Sequence, residues 1–340
     1  MLVGVLGINH KLASLKLREA LIHTAKRKFS PCSSIHSKHF LVLLSTCNRT
    51  EIYFHSEDLA ETHTYILSIL RHEIKEEFDQ KLYSYFGFDC FLHLARVTAG
   101  LDSAILAETE IQGQVKDAYE SSQISQNLPK ELHFLFQKAL KTGKKIRFKS
   151  SLERGMPSLE HALFKLGKTQ FAKPQNEKIL FIGASEINCK VLRYFKLKNF
   201  CQMTLSNRTE ETGKKMARKW QTDFLPWEEL CNWKDYSWII CGTKAPNYLI
   251  ENSFLFKSIT DNKLMIDLSV PRNIDPSIGH HPNITLFNMD EISALLNCRT
   301  KNREETIQKA EEMIFQETEK HLTIFKEKEN FIKHILHITA

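Results

Sequence analysis

The hydrophobic pattern of the first part of the chain mixes short apolar runs with longer stretches of helical spacing. The short runs predict buried strands at 2–8, 41–44 and 52–55. Apolar residues spaced by threes and fours predict helices at 15–22, 60–71, 91–98 and 129–149. Such a mixture predicts an α+β class for an N-terminal domain over 1–150.

The next part of the chain alternates strands and helices more strictly. Apolar runs predict strands at 178–182, 202–205, 237–241, 264–268 and 284–287. The first of them leads into Gly183 and then into an apolar helix. Strand, glycine turn and helix in this order are typical of a Rossmann-type α/β domain that binds a dinucleotide. We expect this domain to cover 151–290.

A long helical pattern occupies the end of the chain, over 291–340. Apolar residues recur at threes, fours and sevens from Ile307 to Leu336, which predicts a helix of about 50 Å. An amphipathic helix needs a partner for its apolar stripe. Because a small isolated domain offers none, we expect a homodimer joined through these helices.

Composition places the chain among ordinary globular proteins. Of its 340 residues, 42% are hydrophobic and 26% charged, and no apolar run is long enough to cross a bilayer. The apolar start is best interpreted as a first strand rather than a signal peptide. Eight cysteines without a Cys-x-x-Cys pair argue against a zinc site or a disulfide framework, and suit a reducing cytoplasm. The net charge of +7 permits an anionic partner.

A polar loop with a thiol at its centre separates the runs at 41–44 and 52–55. The residues around Cys47 are Ser45, Thr46, Asn48, Arg49 and Thr50. A reactive cysteine sits in a polar, electropositive place that favours the thiolate, whereas a structural one has apolar neighbours. Arg49 is the local cation, and its guanidinium also suits a substrate carboxylate. The loop is either a hairpin turn that contains a cysteine or the site of a nucleophile.

A second polar pattern follows Gly100. If the stretch 101–119 is helical, one stripe of its surface carries small and polar side chains: Ser103, Ala107, Glu110 and Gln114. This stripe either lines a pocket or is a solvated helix face. His93, on the preceding predicted helix, stands beside that helix's apolar face.

Three motifs, in this order, resemble the signature blocks of the glutamyl-tRNA reductase family. They are Gly-Ile-Asn-His-Lys at 7–11, Ser-Thr-Cys-Asn-Arg-Thr-Glu at 45–51, and the block from Gly-Leu-Asp-Ser to Ala-Tyr at 100–119. The likeness continues through the cofactor domain and covers most of the chain. It implies NADPH-dependent reduction of glutamyl-tRNA to glutamate-1-semialdehyde through a cysteine thioester, the first committed step of tetrapyrrole and haem synthesis.

The resemblance also implies roles for individual residues. Cys47 is implied as the nucleophile and His93 as the histidine that assists it, with no metal. The residues implied to contact the glutamyl end of the substrate are Thr46, Asn48, Arg49, Ser103, Glu108, Thr109, Glu110 and Gln114. The family commonly has Glu-Pro-Gln where this chain has Glu108-Thr109-Glu110, so Glu110 departs from the pattern.

Further partners follow from the same resemblance. Glutamate-1-semialdehyde aminomutase is expected to form a transient complex that accepts the aldehyde. In the family a long C-terminal helix leads to a helical dimerisation domain, which we expect to be reduced here. The basic end of the helix 129–149 is either a solvated face that complements the helix dipole or a contact to tRNA phosphates. Its basic residues are Lys138, Lys141, Lys144, Lys145, Arg147 and Lys149.

The residues expected to bind NADPH lie at two turns of the Rossmann-type domain. The glycine turn contributes Gly183, Ala184, Ser185, Glu186, Ile187 and Asn188. The end of the second strand contributes Ser206, Asn207, Arg208 and Thr209. An arginine with hydroxyl neighbours suits the 2′-phosphate of NADPH, where an acidic residue would bind a ribose hydroxyl. Two glycines of the usual fingerprint are replaced, by Ser185 and Asn188.

Two other functions share part of this pattern. The segment Ser206–Thr209 also resembles shikimate dehydrogenases, which do not explain the loop around Cys47. A tRNA-binding regulator that has lost catalysis would fit the altered glycine turn and the short C-terminus, but not the intact cysteine loop. The reductase is therefore the function that the sequence favours.

Overall fold

The structure is a computed structural model that describes residues 1–30, 39–106, 108, 110–150, 158–252, 259–296 and 301–339. The chain forms two compact units, one of Met1–Met156 with Arg299–Ala340 and one of Pro157–Cys298. The expected division into three domains stays a prediction, and residues 151–157, at the start of the expected second domain, lie outside the described residues.

The first unit has the expected α+β class. Its strands are β1 (Val3–Asn9), β2 (Phe40–Ser45), β3 (Arg49–His55) and β4 (Tyr83–Phe86). Its helices are α1 (Leu15–Phe29), α2 (Leu59–Glu73), α3 (Gly87–Ala99), α4 (Glu110–Ser125), α5 (Lys130–Ser150) and the terminal helix, labelled α10 (Lys301–Thr339). The four strands form one antiparallel sheet in the order β2-β3-β1-β4.

The sheet of the first unit buries both of its faces. Because successive side chains of a strand point to opposite faces, Val3 and Val5 of β1 pack with α3, α4 and α5. Leu6 and Ile8 of the same strand pack instead with α1 and α2. The strands therefore lie in a middle layer, and polar side chains on them are buried unless they lie at a strand end.

The segment after α3 differs from the sequence prediction. Gly100 ends α3 with a left-handed φ of 77°. Residues 101–106 form turns, and α4 begins only at Glu110. The physical reason is Arg49, which donates hydrogen bonds to both the side chain and the carbonyl of Asp102 and so holds this segment out of a helix. Ser103 consequently shares no helical stripe with Gln114.

The second unit is a doubly wound parallel sheet, as expected for a Rossmann-type domain. Its strands are β5 (Ile179–Ile182), β6 (Met203–Ser206), β7 (Asp223–Leu225), β8 (Trp238–Cys241), β9 (Lys263–Asp267) and β10 (Ile284–Asn288). Its helices are α6 (Leu159–Gln170), α7 (Glu186–Leu197), α8 (Glu210–Trp220) and α9 (Met289–Leu296). The strand order is β10-β9-β8-β5-β6-β7. This order reverses between β5 and β8, where such folds bind their ligands.

The long terminal helix is present, but its apolar stripe packs within the chain. Ala310 and Ile314 are fully buried against residues of α3 and α5. Further along, the ring of Phe325 lies 4.7 Å from that of Phe134 on α5. We expected this stripe to have no partner within its own domain. For the part of the stripe that ends at Phe325 this expectation is wrong, because α3 and α5 pack against it. The side chains of Ile332 and Leu336 lie outside the described part of the chain.

No helix in the described ranges is long and apolar enough to span a membrane. The terminal helix, in particular, has an exposed polar side as well as its buried stripe.

Replacement of Ile314 by Ala tests the packing of α10. We expect the first unit to lose about 2–5 kcal/mol of unfolding free energy, because a fully buried side chain leaves a cavity. Phe331, which is 66% exposed, gives the control: Phe331→Ala should change stability by no more than about 0.5 kcal/mol. Urea denaturation measures both variants. A fall in the sedimentation coefficient of Phe331→Ala would instead place Phe331 in a dimer interface.

Candidate active site

Cys47 lies at the tip of the hairpin that joins β2 to β3. The backbone N–H of Thr46 donates to the carbonyl of Arg49 at 2.9 Å, which leaves Cys47 and Asn48 in the turn. The Thr46 hydroxyl accepts hydrogen bonds from the N–H groups of Asn48 and Arg49, each at 3.2 Å. The N–H of His10, the residue after β1, donates to the Asn48 carbonyl at 2.9 Å. Hydrogen bonds therefore fix the thiol-bearing turn from both sides.

The carboxylate of Glu51 is the centre of a buried network beside this hairpin. It is 0% exposed and lies on β3. One oxygen accepts from Arg49 at 2.7 Å, from Tyr83 at 2.5 Å and contacts Nε2 of His93 at 2.8 Å. The other oxygen accepts from Tyr53 at 2.6 Å. Glu51 thus joins β3, β4 and α3 through one charge.

A second carboxylate, Asp102, extends the network to the turn after α3. It accepts a hydrogen bond from Arg49 at 3.0 Å and a longer one from Asn9 at 3.4 Å, and it pairs with Lys11. Arg49 is 1% exposed, and its terminal nitrogens already donate to Glu51 and Asp102. The structure therefore shows Arg49 as a bridge between two carboxylates, and its contact with a substrate stays a prediction.

The pKa values of the two carboxyl groups follow from these contacts. Burial by itself would raise the pKa of Glu51, but Arg49 and His93 hold it well below its usual range. Burial would also raise the pKa of Asp102, but Arg49 and Lys11 outweigh it, and the pKa of Asp102 is lowered. Both groups are therefore ionised at neutral pH, as a buried pair with Arg49 requires.

The surroundings of Cys47 disfavour the thiolate, in contrast to the sequence expectation. Burial and the nearby carboxylate of Glu108 raise the pKa of Cys47 to about 12, against an opposing effect of Arg18. Burial and Glu110 raise the pKa of Glu108 to about 7, although the Ser103 hydroxyl lowers it. The thiol is thus neutral near pH 7, while a carboxyl group that titrates near pH 7 acts on it.

The remaining residues expected to contact the substrate differ in how deeply the structure buries them. Asn48 is 2% exposed, and neither polar atom of its side-chain amide has a hydrogen-bond partner among the described residues. Ser103 is buried in the turn that holds Asp102. Gln114 lies on the exposed side of α4, and Thr109 lies outside the described residues. The structure therefore buries Asn48 and Ser103, leaves Glu108 partly buried, and places Gln114 on an exposed helix face.

Sequence reasoning assigned no function to several members of this network. Glu51 and Asp102 both belong to the motifs that resemble the family, but neither was given a role of its own. A signal was present for Glu51, because it directly precedes the apolar run 52–55, and a charge that such a strand buries must be paired. Tyr83 carried no such signal, since the sequence did not predict β4.

The second unit places the expected cofactor residues at the carboxyl edge of its sheet. Gly183 follows β5 with φ of 97°, and a Cβ there would lie 2.5 Å from the Gly242 carbonyl oxygen. Asn188 is buried and donates from its amide to the carbonyls of Ile182 and Gly183 at 2.9 and 2.8 Å. Asn188 thus replaces a fingerprint glycine with a side chain that holds the turn, and Gly183 supplies the backbone conformation that other residues disfavour.

The neighbouring turn contributes the other expected residues. Oδ1 of Asn207, at the end of β6, accepts a hydrogen bond from the Ala184 N–H at 2.9 Å. Arg208 and Thr209 follow it and are exposed, whereas Ser206 is buried. The Ser185 side chain caps the first turn of α7 by accepting from the Asn188 N–H. Glu186 and Ile187 belong to that turn. The open helix start, the glycine backbone and an exposed arginine fit a phosphorylated dinucleotide.

A buried carboxylate also organises the edge of this sheet. Asp267, at the end of β9, accepts hydrogen bonds from the N–H groups of Ser269, Asn273 and Ile274 at 3.0, 2.8 and 2.9 Å. Burial raises its pKa to about 6, against the effect of these donors. The Asn273 amide donates in turn to the carbonyls of Ala245 and Asn247 at 2.9 and 3.0 Å. The loops after β8 and β9 are thereby held together.

These observations define a class of protein: a nucleotide-binding unit of the dehydrogenase type, joined in one chain to a unit with a buried polar site and a cysteine at a fixed turn. Family models agree with each part. Residues 6–150 match "Glutamyl-tRNAGlu reductase, N-terminal domain", and residues 165–295 match "Shikimate / quinate 5-dehydrogenase". The second match explains the likeness to shikimate dehydrogenases around Ser206, and it indicates a pyridine nucleotide cofactor.

Whole-chain relatives identify the family. A glutamyl-tRNA reductase of Desulfitobacterium hafniense is 30% identical over 326 residues, which is 92% of this chain and 73% of the relative. That of Carboxydothermus hydrogenoformans is 33% identical, over 92% of this chain and 71% of the relative. The chain belongs to the glutamyl-tRNA reductase family. The structure of the Methanopyrus kandleri enzyme has the same fold, with a TM-score of 0.52 at 22% identity, covering 96% of this chain and 81% of that one.

Glu51→Gln tests the central charge of the network. At pH 7 we expect a loss of about 3 kcal/mol in unfolding free energy, because Arg49 loses a buried anionic partner. The folded state lowers the pKa of Glu51, so its contribution is complete above about pH 4.5 and falls as the pH drops below that value. The difference between wild type and variant should therefore shrink on acidification, which urea denaturation at pH 7 and pH 4 measures.

The exposed Glu57 supplies the control for this prediction. Glu57→Gln should leave the free energy of unfolding within about 0.5 kcal/mol of the wild type at both pH values. An equally large loss for Glu51→Gln at both pH values would mean that shape, not charge, is what Glu51 contributes.

Proposed function

We propose that the protein is an NADPH-dependent glutamyl-tRNA reductase that forms glutamate-1-semialdehyde for tetrapyrrole synthesis. The observation that carries the proposal is Cys47, held at a hydrogen-bonded turn in a chain whose family match extends over both units. A thiol there gives the first unit a nucleophile for an ester, and the second unit has the fold that binds a nucleotide. Neither rival function accounts for both features.

The first step makes an enzyme thioester. The Cys47 sulfur forms a bond to the ester carbonyl carbon, the bond from that carbon to the tRNA ribose oxygen breaks, and the thiol proton ends on the released ribose hydroxyl. This covalent step replaces a poor acceptor of hydride, an ester, by a better one. When bound, NADPH supplies the hydride that releases the aldehyde and frees the sulfur for the next cycle.

The proton of Cys47 needs an acceptor, because a thiol with a pKa of about 12 does not ionise by itself near pH 7. We assign this role to Glu108. Its carboxylate has a larger effect on the Cys47 pKa than any other charged group, and its own pKa of about 7 suits both accepting and returning a proton. The family resemblance implies His93 as the residue that assists the thiol, and in the structure its Nε2 contacts Glu51 at 2.8 Å.

The substrate-binding roles remain proposals of the same kind. The unsatisfied amide of Asn48 offers a donor and an acceptor to the glutamyl group, and Ser103 offers a hydroxyl nearby in the same buried region. A buried polar group without a partner costs free energy, which a bound substrate would recover. In the second unit, the backbone at Gly183 and the start of α7 would hold the pyrophosphate, and Arg208 the 2′-phosphate.

The expected partners of the cycle are also proposals. An aldehyde of this kind is reactive, so direct transfer to glutamate-1-semialdehyde aminomutase, in the cytoplasm, would protect it. A homodimer rests on family resemblance alone, because the α10 stripe packs within the first unit as far as Phe325.

A trapping experiment tests the nucleophile. Wild-type protein incubated with labelled glutamyl-tRNA in the absence of NADPH, then quenched in acid, should carry label on the peptide that contains Cys47. Cys47→Ser should form no labelled peptide and reduce the substrate at least about a thousandfold more slowly. Cys201 is exposed, so Cys201→Ser is the matched control and should react as wild type. Label on another cysteine would exclude the mechanism.

A second experiment tests the choice of cofactor. A charge-assisted hydrogen bond is worth roughly 1.5–3 kcal/mol. Arg208→Ala should therefore raise the apparent constant for NADPH by about ten- to a hundredfold and leave any activity with NADH nearly unchanged. Arg218, an exposed arginine of α8, is the control, and Arg218→Ala should change neither constant. Equal weakening of both cofactors would show that Arg208 supports the fold rather than the 2′-phosphate.

A further inference from the structure

We propose that the exposed end of α5 binds the single-stranded 3′ end of the tRNA, with Phe148 as a stacking platform for one base and Lys141 and Lys144 as contacts to phosphates. The inference rests on the proposed function, because that function makes an aminoacylated tRNA the substrate. We call these three residues the α5 platform.

Phe148 is an exposed aromatic ring on a helix whose other side is core. Its side chain is 88% exposed, whereas its neighbour Ile146 on the same turn is fully buried. Residues three and four apart lie on the same face of a helix, so Lys144 and Lys141 continue the face that Phe148 begins. Both lysines are exposed. The face therefore presents one flat apolar group beside two cations.

Ion pairs distinguish two other lysines of α5 from Lys141 and Lys144. Lys130 and Lys145 form ion pairs with Glu329 and Glu317 of α10. For Lys141 and Lys144, by contrast, no carboxylate of the described residues lies within ion-pair distance. The basic end noted in the sequence thus divides into cations that hold α10 and cations that face solvent, which is the arrangement that attracts a polyanion.

The platform also borders the region of Cys47. Arg147, the residue before Phe148, donates a hydrogen bond to the backbone carbonyl of Glu108. The Glu108 side chain in turn raises the pKa of Cys47. The glutamyl ester is attached to the last nucleotide of the tRNA, so the unpaired nucleotides next to it must pass close to the nucleophile. An aromatic ring with lysines at that point suits stacking without a requirement for one base.

Binding of tRNA measures the platform directly. The probes are an uncharged glutamate tRNA transcript and the same transcript without its unpaired 3′ nucleotides, titrated against the full chain. Phe148→Ala should weaken binding of the complete transcript by about 5- to 100-fold, and Phe148→Trp should preserve it. Ile124 on α4 is 89% exposed, so Ile124→Ala is the matched control and should bind as wild type. Phe148→Ala should bind the shortened transcript as the wild type does, because that probe lacks the nucleotides that stack on the ring.

The lysines have a separate readout. Each single-strand phosphate contact contributes about 0.7 to the slope of log affinity against log salt. The double variant Lys141→Gln and Lys144→Gln should therefore reduce that slope by about 1.4 with the complete transcript. An unchanged slope would overturn the phosphate contacts.

The outcomes distinguish the platform from the function on which it rests. The platform is wrong if Phe148→Ala binds the complete transcript like Ile124→Ala, or if it loses affinity equally for the shortened transcript. An aldehyde assay with glutamyl-tRNA and NADPH is run on the same proteins. Wild-type protein that binds as expected but makes no aldehyde would refute the proposed function and leave the platform standing.

Discussion

The first unit depends on one buried carboxylate, that of Glu51. A charge with no access to water must be neutralised by partners, and here the partners come from three different elements: Arg49 on β3, Tyr83 on β4 and His93 on α3. Arg49 then extends the network to Asp102, in the turn after α3. Because each partner would be left with an unsatisfied polar group if it moved, the elements that surround the Cys47 hairpin are held in one arrangement.

This network explains why the site differs from a simple activated cysteine. The cation nearest to Cys47 in sequence, Arg49, is engaged by Glu51 and Asp102, so it is not what sets the state of the thiol. Burial and Glu108 then raise the pKa of Cys47 instead of lowering it. A neutral thiol is a weak nucleophile toward electrophiles in general. A neighbouring base must therefore remove its proton before it reacts with the substrate.

The second unit uses the same physical device for a different purpose. Asp267 gathers backbone N–H groups from the loop after β9, and Asn273 connects this loop to the one after β8. Buried polar side chains thus shape the carboxyl edge of the sheet, where Rossmann-type domains bind their nucleotide. In both units a charged group inside the protein orders the segments that border a site.

Local sequence determined the fold class, most helices and strands, the hairpin around Cys47 and the position of the glycine turn, since hydrophobic period and turn residues act within a few positions. Only the tertiary structure decided what lies far apart in the chain. It turned 101–106 out of a helix, gave α10 a partner in α3 and α5, and paired Arg49 with Asp102. The reason is that a buried charge or apolar stripe reveals its need for a partner, but not which distant residue will supply it.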